Sequence, residues 1–203
     1  MKIRTKITVM ALISIILGTV GLASIIMLDN KSTELSTLQA EQDSVSVVLS
    51  AHYAWRQALT ESVMTGNEFK GSLDASTCTL GQWFDSEDAK SITDEKLMQN
   101  ISDIYEPHRL IHEEARLIIS LLHEGNLVGA KSHLDEVIYP KTSEVIAILT
   151  SMQGRFSSLV EAKDQEGAQI ARMMKIINIA LIIIAVISFI YPNLVQLHLR
   201  GLE

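Results

Sequence analysis

The sequence predicts an all-α protein, an antiparallel four-helix bundle flanked by two transmembrane helices. Two apolar blocks, residues 7–28 and 173–191, are each close to the ~20 residues that cross a bilayer. Between them, apolar residues recur at steps of three and four, and the alternation typical of strands does not occur. Helical segments joined by short links, the first and last continuous with the apolar blocks, favour antiparallel packing.

The first block, Ile7 to Leu28, carries no charge and follows Lys2, Arg4 and Lys6. A cleaved signal peptide also has a basic start, but its apolar run is only about 7–15 residues and a small-residue cleavage site follows it. Residues 1–28 are therefore predicted to be a cytoplasmic tip and an uncleaved transmembrane helix. The basic residues are expected to hold the N-terminus in the cytoplasm.

This orientation predicts an inner-membrane protein whose residues 29–172 lie outside the cytoplasm, in the periplasm. Residues 173–191 then form the second transmembrane helix, and residues 192–203 form a cytoplasmic tail. Arg172 and Lys175 then stand on the outer side, against the usual enrichment of basic residues on the cytoplasmic side. That enrichment is counted over short loops, so a long exported domain weakens it without reversing it. Because the tail contains no signalling domain, output is expected through a cytoplasmic signalling domain of a longer protein or through a partner protein.

The segment between the blocks is acidic, and it contains a single cysteine. Residues 29–171 contain 23 Asp and Glu but only 11 Lys and Arg, which argues against nucleic acid as a partner. Cys78 has no second cysteine with which to pair inside the chain. In an exported domain it is a free thiol, an intermolecular disulfide or a metal-bound thiolate.

The first outer helix continues from the membrane and carries an apolar face that includes His52. It is predicted to end near Thr65, before Gly66-Asn67, and a small polar linker covers residues 67–77. The segment Cys78-Thr-Leu-Gly-Gln-Trp83 follows, in which the glycine permits a close backbone approach or a sharp turn.

The next long helix is predicted to open with a capping box of Ser91 and Asp94 and to end at Gly125-Asn126. Pro107 lies inside its pattern and must kink or restart it, since proline donates no backbone N–H. The last helix begins near Leu127 and continues into the second apolar block. Pro140 is expected to kink or break it.

His108 and His112 are four residues apart, so both imidazoles lie on one helical face, one turn apart. Two such rings can bind one tetrahedral metal ion, with nitrogens about 2.0–2.1 Å from it. The pair alone is a weak signal, because a partly exposed helix face produces the same spacing. A metal site requires ligands from other parts of the chain.

Three separate motifs together resemble the chemoreceptor zinc-binding domain family. They are His52 followed by Trp55, the C-x-x-G-x-W segment from Cys78 to Trp83, and the pair His108-x-x-x-His112. The resemblance spans about residues 48–122. It implies a Zn²⁺ ion held by one thiolate and three imidazoles, with the ligands His52, Cys78, His108 and His112.

The resemblance further implies a sensor of zinc, or of oxidants that attack the zinc-bound sulfur, in chemotaxis or transmembrane signalling. Receptors of this shape imply a homodimer. Two alternatives stay open: a zinc-independent four-helix module that binds an organic ligand, and a metal-binding scaffold without a signalling role. In the first alternative, His52 is a core histidine bonded to a carbonyl and Cys78 a small buried residue.

The sequence is not expected to encode an enzyme. A helical zinc protease uses H-E-x-x-H, whereas Arg109, Leu110 and Ile111 separate the two histidines here. No Glu-x-x-His motif for a di-iron site, no C-x-x-C-H haem motif and no phosphate-binding glycine loop occurs. Four protein ligands would also leave zinc no open position for a substrate.

Overall fold

The computed structural model of the chain describes the backbone of residues 3–200 and the side chains of residues 8–191. Within this range all regular elements are helical, which confirms the all-α prediction. They are α1 (Ile3–Thr65), α2 (Thr79–Phe84), α3 (Glu87–Ser91), α4 (Glu95–His123), α5 (Leu127–His133), a π-helical turn (Leu134–Ile138) and α6 (Tyr139–Arg200).

The chain divides into two compact units. Residues 37–160 form the first, called here the core unit, and residues 1–36 with 161–203 form the second, called the terminal unit. Each unit is described by itself.

The core unit is built on the long helices α1, α4 and α6, each of which buries one apolar face. On each helix the fully buried apolar side chains recur at steps of three, four or a multiple of seven, as the sequence predicts. Burying one large aliphatic or phenylalanine side chain contributes about 1.5–3 kcal/mol. The fully enclosed residues on these helices are Val45, Leu59, Val63, Ile104, Ile111, His112, Ala115, Ile118, Val145, Leu149, Met152 and Phe156.

Helices α2, α3 and α5 are short, at six, five and seven residues. An antiparallel four-helix bundle therefore stays a prediction for this unit. On α5, Val128 is 82% exposed, whereas Ala130 is fully buried two residues later.

The predicted helix ends are confirmed at two glycines that need a left-handed backbone. Helix α1 ends at Thr65, and Gly66 follows with φ of +75°, its N–H donating to the Ser62 carbonyl at 2.9 Å. Helix α4 ends at His123, two residues before Gly125 with φ of +76°. Glycine takes this conformation without a steric penalty from a Cβ atom.

The predicted capping box at the start of α4 is wrong in one residue. Asp94 itself is the cap, because its carboxylate accepts the Leu97 N–H at 3.1 Å. Ser91 instead ends α3 and donates its hydroxyl to Glu41 Oε1 at 2.9 Å. The physical reason is the extended backbone of Ile92, with ψ of 122°, which separates α3 from α4.

The two prolines have different consequences. Pro107 lies inside α4, which continues from Glu95 to His123 without a restart. A break does not occur at Pro140, because α5, the π-helical turn Leu134–Ile138 and α6 follow one another as a continuous helical chain. The winding changes just before the proline instead, where the Tyr139 N–H donates to the Leu134 carbonyl five residues earlier.

The terminal unit contains the apolar parts of α1 and α6. Both helices are long and apolar enough to cross a membrane, by length and composition alone. Their apolar side chains are mostly exposed, for example Ile25 at 67% and Ile176 at 68%. The same unit also contains a group of charged residues, in which Lys31 Nζ lies 3.0 Å from Glu34 Oε2 and 3.1 Å from Glu166 Oε1.

Candidate metal centre

Helix α1 supplies His52, which is only 4% exposed. Its Nδ1 lies 3.0 Å from the Val48 carbonyl oxygen, one turn earlier on the same helix. Because a carbonyl can only accept, Nδ1 carries the proton and Nε2 keeps a free lone pair. This bond fixes the tautomer that a metal ligand requires.

Helix α4 supplies His108 and His112, whose ring centroids lie 4.8 Å apart. The Nδ1 atom of His112 lies 3.1 Å from the Ser72 carbonyl oxygen, so it too is the protonated nitrogen. Its Nε2 is fully buried and has no hydrogen-bond partner among the described residues. An orphaned buried nitrogen is costly unless something else uses its lone pair.

Cys78 caps the N-terminus of α2. Its Sγ accepts the Gly81 N–H at 3.4 Å and lies 3.0 Å from His108 Nε2. Gly81 is required here, because a Cβ atom at this position would lie 1.9 Å from the Ala75 carbonyl oxygen. This confirms the close backbone approach predicted for the glycine of the C-x-x-G-x-W segment.

Two tryptophans hold the pieces of the centre in place. The Trp55 indole N–H donates to the Ser72 carbonyl at 2.8 Å, and its ring lies 4.9 Å from the His112 ring. The Trp83 indole N–H donates to Ser44 Oγ at 3.0 Å, which ties α2 to α1. These bonds explain the tryptophan that follows each of the first two motifs.

The structure brings together all four residues singled out in the sequence. One possible ligand atom from each of His52, Cys78, His108 and His112 lies within 4.8 Å of the other three, and all four residues are buried. Zinc takes nitrogens at about 2.0–2.1 Å and sulfur at about 2.3 Å, so small side-chain movements suffice to reach it. The orphaned His112 Nε2 and the soft donor set both fit zinc.

Burial also sets the protonation of these groups. It lowers the pKa of His52. Burial, followed by the neighbouring histidines, lowers the pKa of His108 to about 3, and burial first of all lowers that of His112 to about 4. The imidazoles are therefore neutral at physiological pH, with lone pairs available to a cation. Burial raises the pKa of the Cys78 thiol, so without a metal it stays protonated.

Sequence reasoning missed the carbonyl partners and one hydrogen bond between side chains. The carbonyls of Val48 and Ser72 carry no sequence signal, because every residue has one. That hydrogen bond joins His133 to Glu114, with Nε2 lying 2.7 Å from Oε2. His123 is exposed, and the side chain of His198 lies outside the described residues.

Comparison with known proteins gives one family match. Residues 52–119 match the family model described as the chemoreceptor zinc-binding domain, about a third of the chain. No curated protein and no solved structure matches the chain. Over residues 52–119, therefore, the chain matches the chemoreceptor zinc-binding domain, and all four clustered residues lie inside that match.

Proposed function

We propose that this chain is a membrane-anchored sensor whose core unit binds one zinc ion through His52, Cys78, His108 and His112. The observation that carries the proposal is the buried cluster of one sulfur and three imidazole donors, whose possible ligand atoms lie within 4.8 Å of one another. The match to a zinc-binding family supports it independently.

The chain's own residues prepare the centre. The carbonyls of Val48 and Ser72 hold two rings with Nε2 facing the cluster, and such outer partners sustain metal affinity in known sites. When bound, zinc would supply the positive charge that keeps the Cys78 sulfur as a thiolate. Four protein donors leave no position for a substrate, which favours a sensory or structural role over catalysis.

The sensing step we propose is release of the segment that contains Cys78. Loss of zinc removes the bond between the metal and Cys78. An oxidant that converts the Cys78 sulfur to a sulfenic acid weakens this residue as a ligand and has the same result. The segment is then held by its remaining bonds, chiefly those of Trp55 and Trp83 to Ser72 and Ser44. Helix α1 contains both His52 and the first apolar block, so it is the element proposed to carry the change.

Membrane topology is a further part of the proposal. Two apolar helices support membrane anchoring, and Lys2, Arg4 and Lys6 support a cytoplasmic N-terminus. Residues 29–172 would then form an extracytoplasmic four-helix sensor domain that works as a homodimer with a cytoplasmic signalling partner. Domains of this family are typically cytoplasmic, so the topology needs its own test.

Metal analysis of the full chain, purified in detergent, tests the zinc site. Wild type should retain one zinc per chain against a weak chelator, whereas Cys78→Ser and His112→Ala should lose it. His123→Ala is the matched control, because His123 is exposed and outside the cluster. Zinc-free wild type, or full retention in Cys78→Ser, would contradict the proposal and favour the zinc-independent ligand module.

The same variants separate zinc sensing from oxidant sensing. Hypochlorite should release zinc from wild type, and from any zinc-bound His112→Ala, because both retain the Cys78 thiolate. Residual zinc bound to Cys78→Ser should not respond. Equal release from all three proteins would show that Cys78 is not the oxidant target.

Cysteine labelling tests the topology. Glu68 is exposed in the linker after α1, so Glu68→Cys in a Cys78→Ser background places one reactive thiol there. An impermeant reagent should label it in intact cells with a permeable outer membrane. Labelling only after lysis would place the core unit in the cytoplasm.

A further inference from the structure

A cavity of about 270 Å³ opens beside the metal centre. The residues that matter to its chemistry are Asp74, Phe84, Asp85, Tyr105, His108 and Arg109. Its volume is slightly below the range of pockets that hold drug-sized molecules. It therefore suits a small metabolite, and it places that molecule against one of the four clustered side chains.

That side chain, His108, differs from the other two histidines. His52 and His112 both direct Nδ1 to a backbone carbonyl. His108 uses Nε2 toward Cys78, and among the described residues its Nδ1 has no hydrogen-bond partner. In the part of the chain that the structure describes, His112 Nε2 is the side-chain nitrogen that is both fully buried and without a partner. His108 Nδ1 is not in that state, and we infer that it is reached from the open space beside the ring.

The open space next to His108 is the cavity, since His108 lines it while being only 2% exposed overall. When Nε2 uses its lone pair, the ring proton resides on Nδ1, which is then a donor. A metal-binding histidine nearly always donates this proton to an acceptor. A molecule that fits the cavity must therefore present an acceptor atom to His108.

The charges in the cavity exclude a simple anion. Asp74 uses Oδ1 to accept from Ser76, and within the described part of the chain neither its Oδ2 nor the Asp85 carboxylate has a side-chain partner. The Arg109 charge is already offset by ion pairs with Glu106 and Glu113. Arg116 also acts electrostatically on Asp74 but does not line the cavity. The lining itself therefore places two carboxylates against one guanidinium whose charge is offset, which leaves the cavity electronegative.

Aromatic faces complete the wall. The rings of Phe84 and Tyr105 lie 5.8 Å apart, and Phe84 lies 5.9 Å from His108. Aromatic faces next to carboxylates favour an organic cation. The ligand needs an acceptor for His108 and a positive group for the carboxylates, and an amino acid zwitterion carries both.

We propose that this cavity binds a small zwitterion of amino acid size. Its carboxylate accepts the His108 Nδ1 proton and its ammonium group faces Asp85 and Asp74. Its influence on zinc rests on the proposed function, because the ligand supplies the outer partner that His108 lacks. Outer partners change metal affinity by about 10–100-fold, and by linkage zinc strengthens zwitterion binding by the same factor.

The test uses the full chain in detergent micelles and a panel of free amino acids at millimolar concentration. Calorimetry measures amino acid binding with and without zinc, and competition with a chromogenic chelator measures zinc affinity. At least one amino acid should bind and raise zinc affinity by about tenfold. Asp85→Asn should abolish both effects, whereas Asp88→Asn, the same change outside the cavity, should preserve them.

Acetate and ethylamine serve as half-ligands. If either alone matches the best amino acid, the ligand is not a zwitterion and the inference is wrong. It is also wrong if no amino acid binds, or if the Asp88→Asn control loses binding as Asp85→Asn does. Zinc uptake without any amino acid effect overturns only this inference. Amino acid binding that is lost in Asp85→Asn, in a chain that takes up no zinc, supports the cavity ligand and overturns the zinc proposal.

Discussion

Isoleucine side chains have opposite surroundings in the two units. Ile104 and Ile111 of the core unit are completely buried by other residues of the chain. Ile25 and Ile176 of the terminal unit are 67% and 68% exposed. The core unit thus provides an apolar interior for its own residues, whereas the terminal unit does not.

The difference concerns the solvent in which each unit would be stable. A water-soluble surface rarely exposes a contiguous apolar area of more than a few hundred Å². Two helical stretches with exposed aliphatic side chains are stable where the surroundings are apolar, as in the hydrocarbon of a bilayer.

Trp55 and Trp83, the only tryptophans in the chain, both lie in the core unit, so their fluorescence reports on that unit alone.

The largest effect is expected from matched isoleucine deletions. Ile104→Ala leaves a cavity in the core unit and should lower its free energy of unfolding by about 2–5 kcal/mol. Ile25→Ala removes the same atoms from an exposed site and should leave this quantity unchanged. Denaturant unfolding of the full chain in detergent, followed by tryptophan fluorescence, measures both. Similar losses would abolish the distinction between the units.

Zinc removal should have the next largest effect, and only on the core unit. Zinc at about a hundredfold excess over its dissociation constant stabilises the folded state by about 2.7 kcal/mol. Chelation should lower the fluorescence midpoint while far-ultraviolet circular dichroism keeps its helical signal, because the helices carry their own apolar faces. An unchanged midpoint after proven zinc loss would show that the site does not brace the core unit.

Asp94 should have a smaller effect that depends on pH. Asp94→Ala removes the cap of α4, which costs about 0.5–2 kcal/mol, and the bond from Arg155 at 2.6 Å. Hydrogen bonds from Arg155 lower the pKa of Asp94 below its ordinary value of 3.8. Between the lowered pKa of the folded state and the ordinary pKa of the unfolded state, the unfolded chain binds more protons. The stabilisation from the charged Asp94 carboxylate is therefore complete above about pH 4 and is lost as pH falls through the lowered pKa.

Asp94→Asn separates the two contributions, since asparagine still caps the helix but carries no charge. Its unfolding midpoint should lack the acid-dependent component seen in wild type. An identical pH dependence in both proteins would assign the acid sensitivity to other carboxylates.

The smallest effect is expected from the charged network of the terminal unit. Lys31→Ala breaks exposed ion pairs with Glu34 and Glu166, which salt screens readily. The tryptophan midpoint of the core unit should not change at any salt concentration. A shift as large as that of Asp94→Ala would show that the two units unfold together.

Local chemistry made the helix ends and the four clustered residues predictable. Gly66 and Gly125 stop helices because their positions need positive φ, which a sequence signals by glycine itself. His52, Cys78 and the His108 pair were identified through side chains with specific chemistry at a specific spacing. Their convergence in the structure follows from helices whose apolar faces were visible as periodic patterns.

The α4 cap, the cavity and the carbonyl partners of the histidines could not be predicted, because they depend on backbone geometry or on empty space. No residue type signals either of these. The cap assigned to Ser91 belongs to Asp94 because of the extended backbone at Ile92. The cavity beside His108 arises between separate segments, so no single stretch predicts it. The partners of His52 and His112 are main-chain oxygens, which any residue could have supplied.

One such oxygen, that of Ser72, receives bonds from both Trp55 and His112. Substituting Ser72 keeps the carbonyl group but also removes the hydroxyl that bonds Asp74 and Thr77, so a point mutation cannot isolate the role of the carbonyl. Deleting one residue between 67 and 71 would instead displace the oxygen by up to about 3.8 Å, the spacing of consecutive Cα atoms. Natural variation in this linker should therefore be narrow in length, and its composition should be restricted at Phe69 and Gly71, which lie against Trp55.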